Sequence, residues 1–246
     1  MTKQQTVSSN SPRTALVTGA TRGIGRAVAE DLARDHVVFV GGRSSEDVER
    51  VRSELKGFGP GTRPFVADLA DDAAVQAAWA PLADEFPGLN VVVHSAGIAP
   101  MARVEEATRE QWREIFEVNV FSVAQLTKLV LPQLRAVGGD VVAINSGSGF
   151  MAGPASSLYS GTKFALRAFT DALREEEREN GVRVSSVHPG RVATDMQAEL
   201  HAYQGKEYRA EEWIQPAQIA AAVRVAVDAE RTSQVEVITV RPSGMH

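Results

Sequence analysis

Short, nearly continuous apolar runs alternate with longer amphipathic stretches along the whole chain, and this alternation is the feature that most restricts its fold. The runs with the length and β-branched content of strands are TALVTG, HVVFVGG, TRPFVADL, LNVVVHSAG, DVVAINS, VRVSSVHPG and VEVITVRP. Strands without polar alternation are buried on both faces, and the helical patterns between them supply the crossovers that parallel strands need. The pattern therefore predicts a doubly wound α/β sandwich around a seven-stranded, mainly parallel sheet.

The size of the chain suits one domain, because 246 residues with 43% hydrophobic and 23% charged side chains are typical of a globular α/β protein. The polar segment 1–12 lacks the apolar centre of a signal peptide and predicts a flexible N-terminal tail before a single domain at 13–246. No apolar run approaches the roughly 20 residues that span a bilayer. We expect a cytoplasmic protein without a membrane partner.

The composition excludes several classes of function. With a net charge of −5, and with lysine and arginine spread along the chain, it offers no basic stripe for phosphate backbones. We therefore expect no nucleic-acid partner. The absence of cysteine excludes disulfides, thiol catalysis and thiolate metal ligands, and it fits a reducing compartment. We expect no metal site.

The glycine-rich stretch TGATRGIG, 18–25, joins the first strand to the first helix. Its three glycines allow positive φ and close backbone approach, so that helix N–H groups can face a pyrophosphate. This position in a parallel α/β chain favours a dinucleotide over a plain glycine-rich turn. The expected contacts in this loop are Gly19, Thr21, Arg22, Gly23, Ile24 and Gly25.

The end of the second strand indicates which dinucleotide is bound. An acidic residue there would accept the 2′-hydroxyl of NAD, but this chain has Arg43 and Ser44 after two glycines. A guanidinium donates parallel hydrogen bonds to a phosphate, and Arg22 could reach the same phosphate from the glycine loop. The two arginines predict NADP(H) as the cofactor; the alternative is that both are solvated surface residues.

Residues after the other strands complete the predicted crevice, because ligands of such sheets bind at the carboxyl ends of the strands. Asp68 suits either a hydrogen bond to an adenine amine or a turn or helix cap. His94 ends a strand buried on both faces, which predicts a hydrogen-bonded structural histidine. The expected cofactor contacts at these strand ends are Asp68, Leu69, Ser95, Ala96, Gly97, Pro189, Gly190, Val192 and Thr194.

From Thr14 to about Pro242 the chain resembles the short-chain dehydrogenase/reductase family in the motifs TGATRGIG, HSAG, EVNV, INSGSG, YSGTK and HPGRVAT, in that order. The resemblance implies a Rossmann-type fold and an NADP-preferring carbonyl reductase with a small-molecule carbonyl or alcohol substrate. It also implies a homodimer or homotetramer, paired through the helices predicted at 108–136 and 158–180. The family's usual Asn-Asn-Ala-Gly is replaced here at His94 and Ser95.

By position in these motifs, the resemblance implies the catalytic residues Asn119, Ser146, Tyr159 and Lys163. Tyr159 would be the general acid/base and Ser146 the carbonyl anchor, because hydride addition to a carbonyl leaves an alkoxide that needs a proton and a hydrogen bond. Lys163, one helical turn away, would lower the tyrosine pKa from about 10, and both would contact the cofactor. Asn119 would bind a water that passes protons to Lys163. Ser148 is the rival for the role of Ser146.

The polar segment 191–215 is predicted to be a substrate loop. Its side chains Met196, Leu200, Tyr203 and Trp213 either line a pocket or pack the loop itself. We expect an NADPH-dependent carbonyl reductase, equivalently an NADP-dependent alcohol dehydrogenase. The alternative is a non-catalytic NADP(H)-binding redox sensor or regulatory protein, whose mark would be an incomplete catalytic set.

Overall fold

The computed structural model describes residues 12–244, so the tail predicted at 1–12 lies, apart from Pro12, outside the described residues. The strands are β1 (Arg13–Val17), β2 (His36–Gly42), β3 (Thr62–Val66), β4 (Val91–His94), β5 (Asp140–Ile144), β6 (Arg183–Pro189) and β7 (Val237–Val240). The helices are α1 (Gly23–Leu32), α2 (Ser45–Glu54), α3 (Asp72–Glu85), α4 (Arg109–Phe116), α5 (Ser122–Val137), α6 (Ser157–Glu177), α7 (Asp195–Tyr203) and α8 (Pro216–Val227). Short 3-10 turns occupy Gly147–Gly149, Arg178–Asn180 and Ala210–Glu212.

The strands form one parallel sheet in the order β3-β2-β1-β4-β5-β6-β7. The order turns back between β1 and β4, which makes the fold doubly wound and confirms the Rossmann-type sheet expected from the sequence. At this position Val17 of β1 pairs with Val40 of β2 and Val93 of β4, so these strands end near one level. Their carboxyl ends open the crevice in which ligands of such sheets bind.

The core consists of two apolar layers, one on each face of the sheet. Leu16 and Val17 are both fully buried and contribute to different layers, because successive side chains of a strand point to opposite faces. Helices α1, α2 and α8 cover the face of Val17, and α3, α5 and part of α6 cover the face of Leu16. Burial on both faces explains why the strands are apolar throughout.

The helix predicted at 108–136 is one helical stretch with a π-helical interruption, Glu117–Phe121, between α4 and α5. There the Ser122 N–H donates to the carbonyl of Glu117, five residues back, so one extra residue is inserted in the turn. Such interruptions occur frequently at functional sites, and this one contains Asn119.

The same stretch, Arg109–Val137, has the length and the mean hydropathy, 1.3, of a membrane span. However, Leu126, Val130 and Leu134 pack in the apolar layer on the Leu16 face of the sheet. The stretch is therefore a core helix of the α/β sandwich, and the cellular location expected from composition stays a prediction.

A buried ion pair joins the amino-terminal ends of β5 and β6, at the end of the sheet opposite the crevice. Arg183, at the start of β6, donates to both carboxylate oxygens of Asp140, at the start of β5, at 2.7 and 3.1 Å. The same guanidinium donates to the carbonyls of Val227 and Ala229 at 3.2 and 2.7 Å. It thereby joins two strands to the carboxyl end of α8, where backbone carbonyls lack helical partners.

Candidate active site

The glycine loop lies directly against the residues that follow β4. Gly19 has a φ of 63°, and a Cβ atom placed on it would lie 2.9 Å from the Cα atom of Ala96. Thr18 Oγ1 accepts from the N–H groups of Ser95 and Ala96 at 3.1 and 3.2 Å. Thr18 was not among the site residues expected from the sequence, although it opens the glycine motif, and it holds the two loops of the crevice together.

The start of α1 leaves room and hydrogen-bond donors for an anion. A Cβ atom on Gly25 would lie 2.2 Å from the Gly19 carbonyl oxygen, so only glycine permits this close turn. Helix α1 has no capping side chain and no acidic residue in its first turn. Its first N–H groups and its positive dipole end are therefore available to a phosphate. These features fit the pyrophosphate of a nicotinamide dinucleotide.

Thr21 and Ile24 stand on either side of this turn. A Cβ atom on Gly42, at the end of β2, would lie 2.7 Å from Thr21 Cγ2, so Thr21 borders the end of that strand. Ile24 packs against the core layer of α1 and α8. Of these two predicted contacts, Thr21 is the one placed at the rim of the crevice between β1 and β2.

The two arginines expected at the cofactor phosphate are both exposed. Arg43 follows β2 and makes no hydrogen bond or ion pair within residues 12–244. Ser44 next to it caps α2, since its hydroxyl accepts from the Asp47 N–H at 3.2 Å. Arg22 lies 3.7 Å from the carboxylate of Asp195 at the start of α7. Arg43 is thus an unengaged cation beside the crevice.

Asp68 makes a local turn after β3. Its Oδ1 atom accepts from the Ala70 N–H at 3.0 Å, and the carboxylate is exposed. Asp71, three residues later, caps α3 by accepting from the Ala73 N–H at 2.9 Å. Leu69 packs against the apolar layer beneath the sheet. The turn-forming alternative is therefore present for Asp68, and its contact with an adenine stays a prediction.

Tyr159 and Lys163 lie one turn apart on the face of α6 that meets the sheet. Lys163 is only 5% exposed, and its Nζ atom donates to the carbonyl of Ile144, at the end of β5, at 3.0 Å. The Nζ atom lies 5.5 Å from the centre of the Tyr159 ring. Burial lowers the pKa of Lys163 from 10.5 to about 8. The lysine is thus enclosed beside the phenol.

The pKa of Tyr159 differs in direction from the sequence-based expectation. Burial raises the pKa of this hydroxyl above 10.0, and the hydrogen bond with Ser146 offsets only part of the rise. The expected lowering by Lys163 was wrong, because removal of water destabilises the phenolate and Lys163 donates to the Ile144 carbonyl. Tyr159 is therefore protonated near neutral pH.

Ser146 follows β5 and caps the 3-10 turn Gly147–Gly149. Its Oγ atom accepts from the Ser148 N–H at 3.1 Å, which leaves its own proton free to be donated. It is Ser146 whose hydroxyl interacts with Tyr159. Of the two serines considered, Ser146 is thus the one placed at the phenol, while the backbone of Ser148 orients it.

Asn119, in the π-helical segment, is 1% exposed and ties two other site elements together. Its side chain exchanges hydrogen bonds with the backbone N–H and carbonyl of Ile98, both at 2.9 Å. Its Nδ2 atom also donates to Thr162 Oγ1 on α6 at 3.1 Å. The amide thereby joins the loop after β4, beside Gly97, to the helix of Tyr159 and Lys163. The expected water contact of Asn119 stays a prediction.

The segment after β6 returns to the glycine loop. A Cβ atom on Gly23 would lie 3.3 Å from Thr194 Cγ2, and Thr194 caps α7. Pro189 pairs with β7, and the Gly190 N–H donates to a β7 carbonyl at 2.7 Å. Buried Val192 forms an isolated β-bridge with Ile214, two residues before α8. An open cleft of about 440 Å³ lies between the start of α1 and the starts of α7 and α8. Thr194 is therefore placed against the expected pyrophosphate site.

Within the predicted substrate loop, Trp213 packs inward. It is 7% exposed, its ring lies 5.3 Å from that of buried His201, and the Arg191 guanidinium lies 5.1 Å above it. Trp213 is thus a loop-packing residue. The other side chains expected to line a pocket are exposed or half-buried, and they are Met196, Leu200 and Tyr203.

His94, which stands where the family has asparagine, is a structural residue as predicted. It is 3% exposed, and its Nε2 atom lies 2.9 Å from Thr127 Oγ1 on α5. Burial lowers its pKa to about 4, so the ring is neutral. It contributes a hydrogen bond between β4 and α5 and no acid-base group.

Comparisons with known proteins agree with this architecture. The family model described as short chain dehydrogenase matches residues 13–205. Dehydrogenase/reductase SDR family member 7B of Mus musculus is 33% identical over 201 residues, which are 79% of this chain and 62% of that protein. Dehydrogenase/reductase SDR family member 11 of Homo sapiens is 30% identical over 245 residues, which cover 94% of each chain.

Among solved structures, a single-residue variant of actinorhodin polyketide ketoreductase with NADPH has a TM-score of 0.87 at 27% identity, with 98% of each chain covered. The fold, the glycine loop and the matched residues thus lead to one conclusion. The chain belongs to the short-chain dehydrogenase/reductase family, whose oxidoreductases act on small molecules with a nicotinamide dinucleotide.

Proposed function

We propose that the protein is an NADPH-dependent carbonyl reductase that also catalyses the reverse oxidation of a secondary alcohol. The observation that carries the proposal is the position of Tyr159 beside Ser146 and 5.5 Å from the enclosed Lys163 ammonium, at the carboxyl ends of the strands. A protonated phenol and a serine that can donate its hydroxyl proton are the two groups that carbonyl reduction needs next to the reacting oxygen.

The nicotinamide supplies the hydride when it is bound. Ser146 donates its free O–H to the carbonyl oxygen, since its oxygen already accepts from Ser148. Tyr159 gives its proton to the same oxygen as negative charge develops there. The Lys163 ammonium stabilises the phenolate left behind, because an opposite charge nearby favours the ionised form. In the reverse direction the Tyr159 phenolate, stabilised by the Lys163 ammonium, accepts the proton of the alcohol.

The preference for NADP(H) rests on Arg43. This arginine is exposed beside the end of β2 without a partner among the described residues, and no carboxylate stands where NAD ribose would need one. A guanidinium in this position suits the 2′-phosphate. The bound NADPH of the similar ketoreductase supports the same choice.

The proposal is tested by titrating the purified protein with NADPH and NADH, followed by a screen of ketones and aldehydes for NADPH oxidation. We expect NADPH to bind more tightly than NADH, and Arg43→Ala to remove most of this difference. Arg178→Ala is the control, because Arg178 is exposed and pairs with Glu175 at the far end of α6. Tight NADPH binding without turnover of any carbonyl would favour a redox sensor, and failure to bind either dinucleotide would refute both functions.

A homodimer or homotetramer formed through α5 and α6 belongs to the same proposal. Phe121, the residue before α5, and Phe164, on α6, are 51% and 45% exposed, and ring contacts link Phe121 to Phe116 and Phe116 to Trp112. Large apolar side chains exposed together are typical of contacts between subunits. Light scattering of wild type and Phe164→Glu tests it, since the variant should have a lower molar mass; a monomeric wild type would contradict it.

A further inference from the structure

Both backbone polar groups of Ser146 are held by side chains. Its N–H donates to Asn145 Oδ1 at 2.9 Å, and its carbonyl oxygen lies 2.8 Å from His188 Nδ1 and also accepts from the Gly149 N–H at 3.0 Å. His188 is on β6, which pairs with β5 in a register that sets Ile144 opposite Val187. The sheet therefore brings a residue 42 positions away to the carbonyl of the serine.

These contacts continue into a closed ring. His188 Nε2 lies 2.9 Å from Ser186 Oγ, and Asn145 Nδ2 donates to the same hydroxyl at 3.5 Å. Because the Ser146 carbonyl oxygen can only accept, His188 Nδ1 carries the proton. In the neutral ring Nε2 then accepts from the Ser186 hydroxyl. We call Asn145, Ser186 and His188 the serine clamp.

The serine clamp is enclosed and its histidine stays neutral. His188 and Ser186 are fully buried, Asn145 is 3% exposed, and the Phe150 ring lies 4.2 Å from the His188 ring. Burial lowers the pKa of His188, and the positive charges of Arg167, Arg241 and Lys163 act in the same direction. With a single charge state and a single tautomer, the ring holds one geometry.

The clamp also adjoins the helix of the proton donor. A Cβ atom on Gly149 would lie 2.8 Å from Asn145 Oδ1 and 3.1 Å from the Lys163 carbonyl oxygen. The turn that begins at Ser146 is thus packed between the clamp and α6. A shift of the serine backbone would therefore change the distance between its hydroxyl and Tyr159.

From this geometry we infer that His188 is a positioning residue for carbonyl reduction: it holds the Ser146 carbonyl through Nδ1–H, with Asn145 and Ser186 fixing its tautomer. The inference rests on the proposed function. Among the described residues, the fully buried His188 ring contacts Ser146, Ser186 and Phe150, so we expect its effect on the reaction to pass through Ser146. Misplacement of a reacting group by about 1 Å lowers a rate by roughly 100-fold, so loss of the contact between His188 and Ser146 should lower kcat measurably.

Two substitutions at His188 distinguish loss of the hydrogen-bond donor at Nδ1 from loss of the volume of the side chain. Asparagine places its amide nitrogen where Nδ1 lies, whereas glutamine places it near Nε2. We expect His188→Asn to keep kcat within about threefold of wild type, and His188→Gln to lower kcat by tenfold or more, as an order-of-magnitude expectation for a lost positioning contact. The affinity for NADPH, measured by fluorescence titration, should stay unchanged in both. The reaction followed is NADPH oxidation with the ketone that wild type reduces fastest.

A double-mutant cycle tests whether His188 acts through Ser146. In the Ser146→Ala protein, His188→Gln should have no further effect on kcat, because residues that act as one unit are not additive. His36→Asn and His36→Gln are the control pair. His36 is also fully buried and its Nδ1 atom contacts Asp35 at 2.8 Å, but it lies at the opposite end of the sheet, so these variants should change stability without changing kcat.

A spectroscopic measurement of the His188 tautomer tests the inference without relying on enzyme activity. Nitrogen NMR of wild-type protein with labelled histidine should show His188 as the Nδ1–H tautomer, with a pKa below the ordinary 6.5 of histidine. The Nε2–H tautomer, equal kcat values for His188→Asn and His188→Gln, or additive losses in the cycle would each overturn the inference. Should wild type reduce no carbonyl, the proposed function fails while the tautomer measurement still reports on the clamp.

Discussion

The ammonium of Lys163 lies 5.5 Å from the centre of the Tyr159 ring and donates to the Ile144 carbonyl at 3.0 Å. The lysine is thus held by the end of β5 while it stays close to the phenol. The ammonium does not overcome the effect of burial on Tyr159, whose pKa is raised. In the proposed function, Tyr159 is the proton donor and Lys163 is the group that stabilises its ionised form.

Removal of the Tyr159 hydroxyl should strongly lower turnover and leave cofactor binding in place. We expect Tyr159→Phe to lower kcat by about 100-fold to 10,000-fold, the usual range for general acid catalysis. Steady-state NADPH oxidation measures the loss, and fluorescence titration measures binding. A variant with wild-type kcat would show that another group delivers the proton.

Replacement of Lys163 should change how stability depends on pH. Because burial lowers its pKa from 10.5 to about 8, the unfolded chain binds more protons between these values, and wild-type stability should rise as pH increases through this window. Below pH 8 the lysine is charged in both states, and its burial costs on the order of 3 kcal/mol. Lys163→Met should therefore be more stable than wild type at pH 7, with a smaller difference at pH 10. Urea unfolding at the two pH values checks this, and a difference independent of pH would contradict it.

The close contact at Gly19 should be required for cofactor binding. Gly19 and Gly181 both have positive φ, 63° and 73°, but a Cβ atom on Gly181 meets no atom within 4 Å. Alanine at either position should cost roughly 1–2 kcal/mol from the backbone alone. Only Gly19→Ala should also weaken NADPH binding, by tenfold or more as an order of magnitude, because its Cβ would displace the loop at Ala96. Equal NADPH affinities in the two variants would argue against a cofactor site at this loop.

The buried ion pair at the start of β5 and β6 should contribute to stability and not to activity. Arg183→Ala leaves the buried Asp140 carboxylate with Arg231 as its remaining cation, at 3.2 Å. Loss of one partner of a buried pair costs about 3–5 kcal/mol, and Arg231 should keep the loss near the lower end. Arg178→Ala, at an exposed pair, should change the unfolding free energy by less than about 1 kcal/mol. The folded Arg183→Ala protein should bind NADPH like wild type; similar unfolding free energies for the two variants would contradict the assignment.

Local patterns in the sequence predict the elements and their order. The run HVVFVGG coincides with β2, and the helix predicted from Pro216 is α8, because strand and helix periodicity are properties of neighbouring residues. The parallel sheet also follows from sequence, since strands without polar alternation must be buried on both faces. The sequence also predicts that Tyr159 and Lys163 lie one turn apart, because they are four residues apart within the helix predicted at 158–180.

The tertiary structure decided everything that depends on residues far apart in the chain. Asn119 holds Ile98 and Thr162, and Trp213 packs on His201 instead of lining a pocket, which no periodicity encodes. The pKa of Tyr159 rises because several elements together exclude water from it. The sequence by itself determined which segments are apolar enough to form the sheet and its helices. The hydrogen-bond partners and the solvation of each side chain depend on how these elements are assembled.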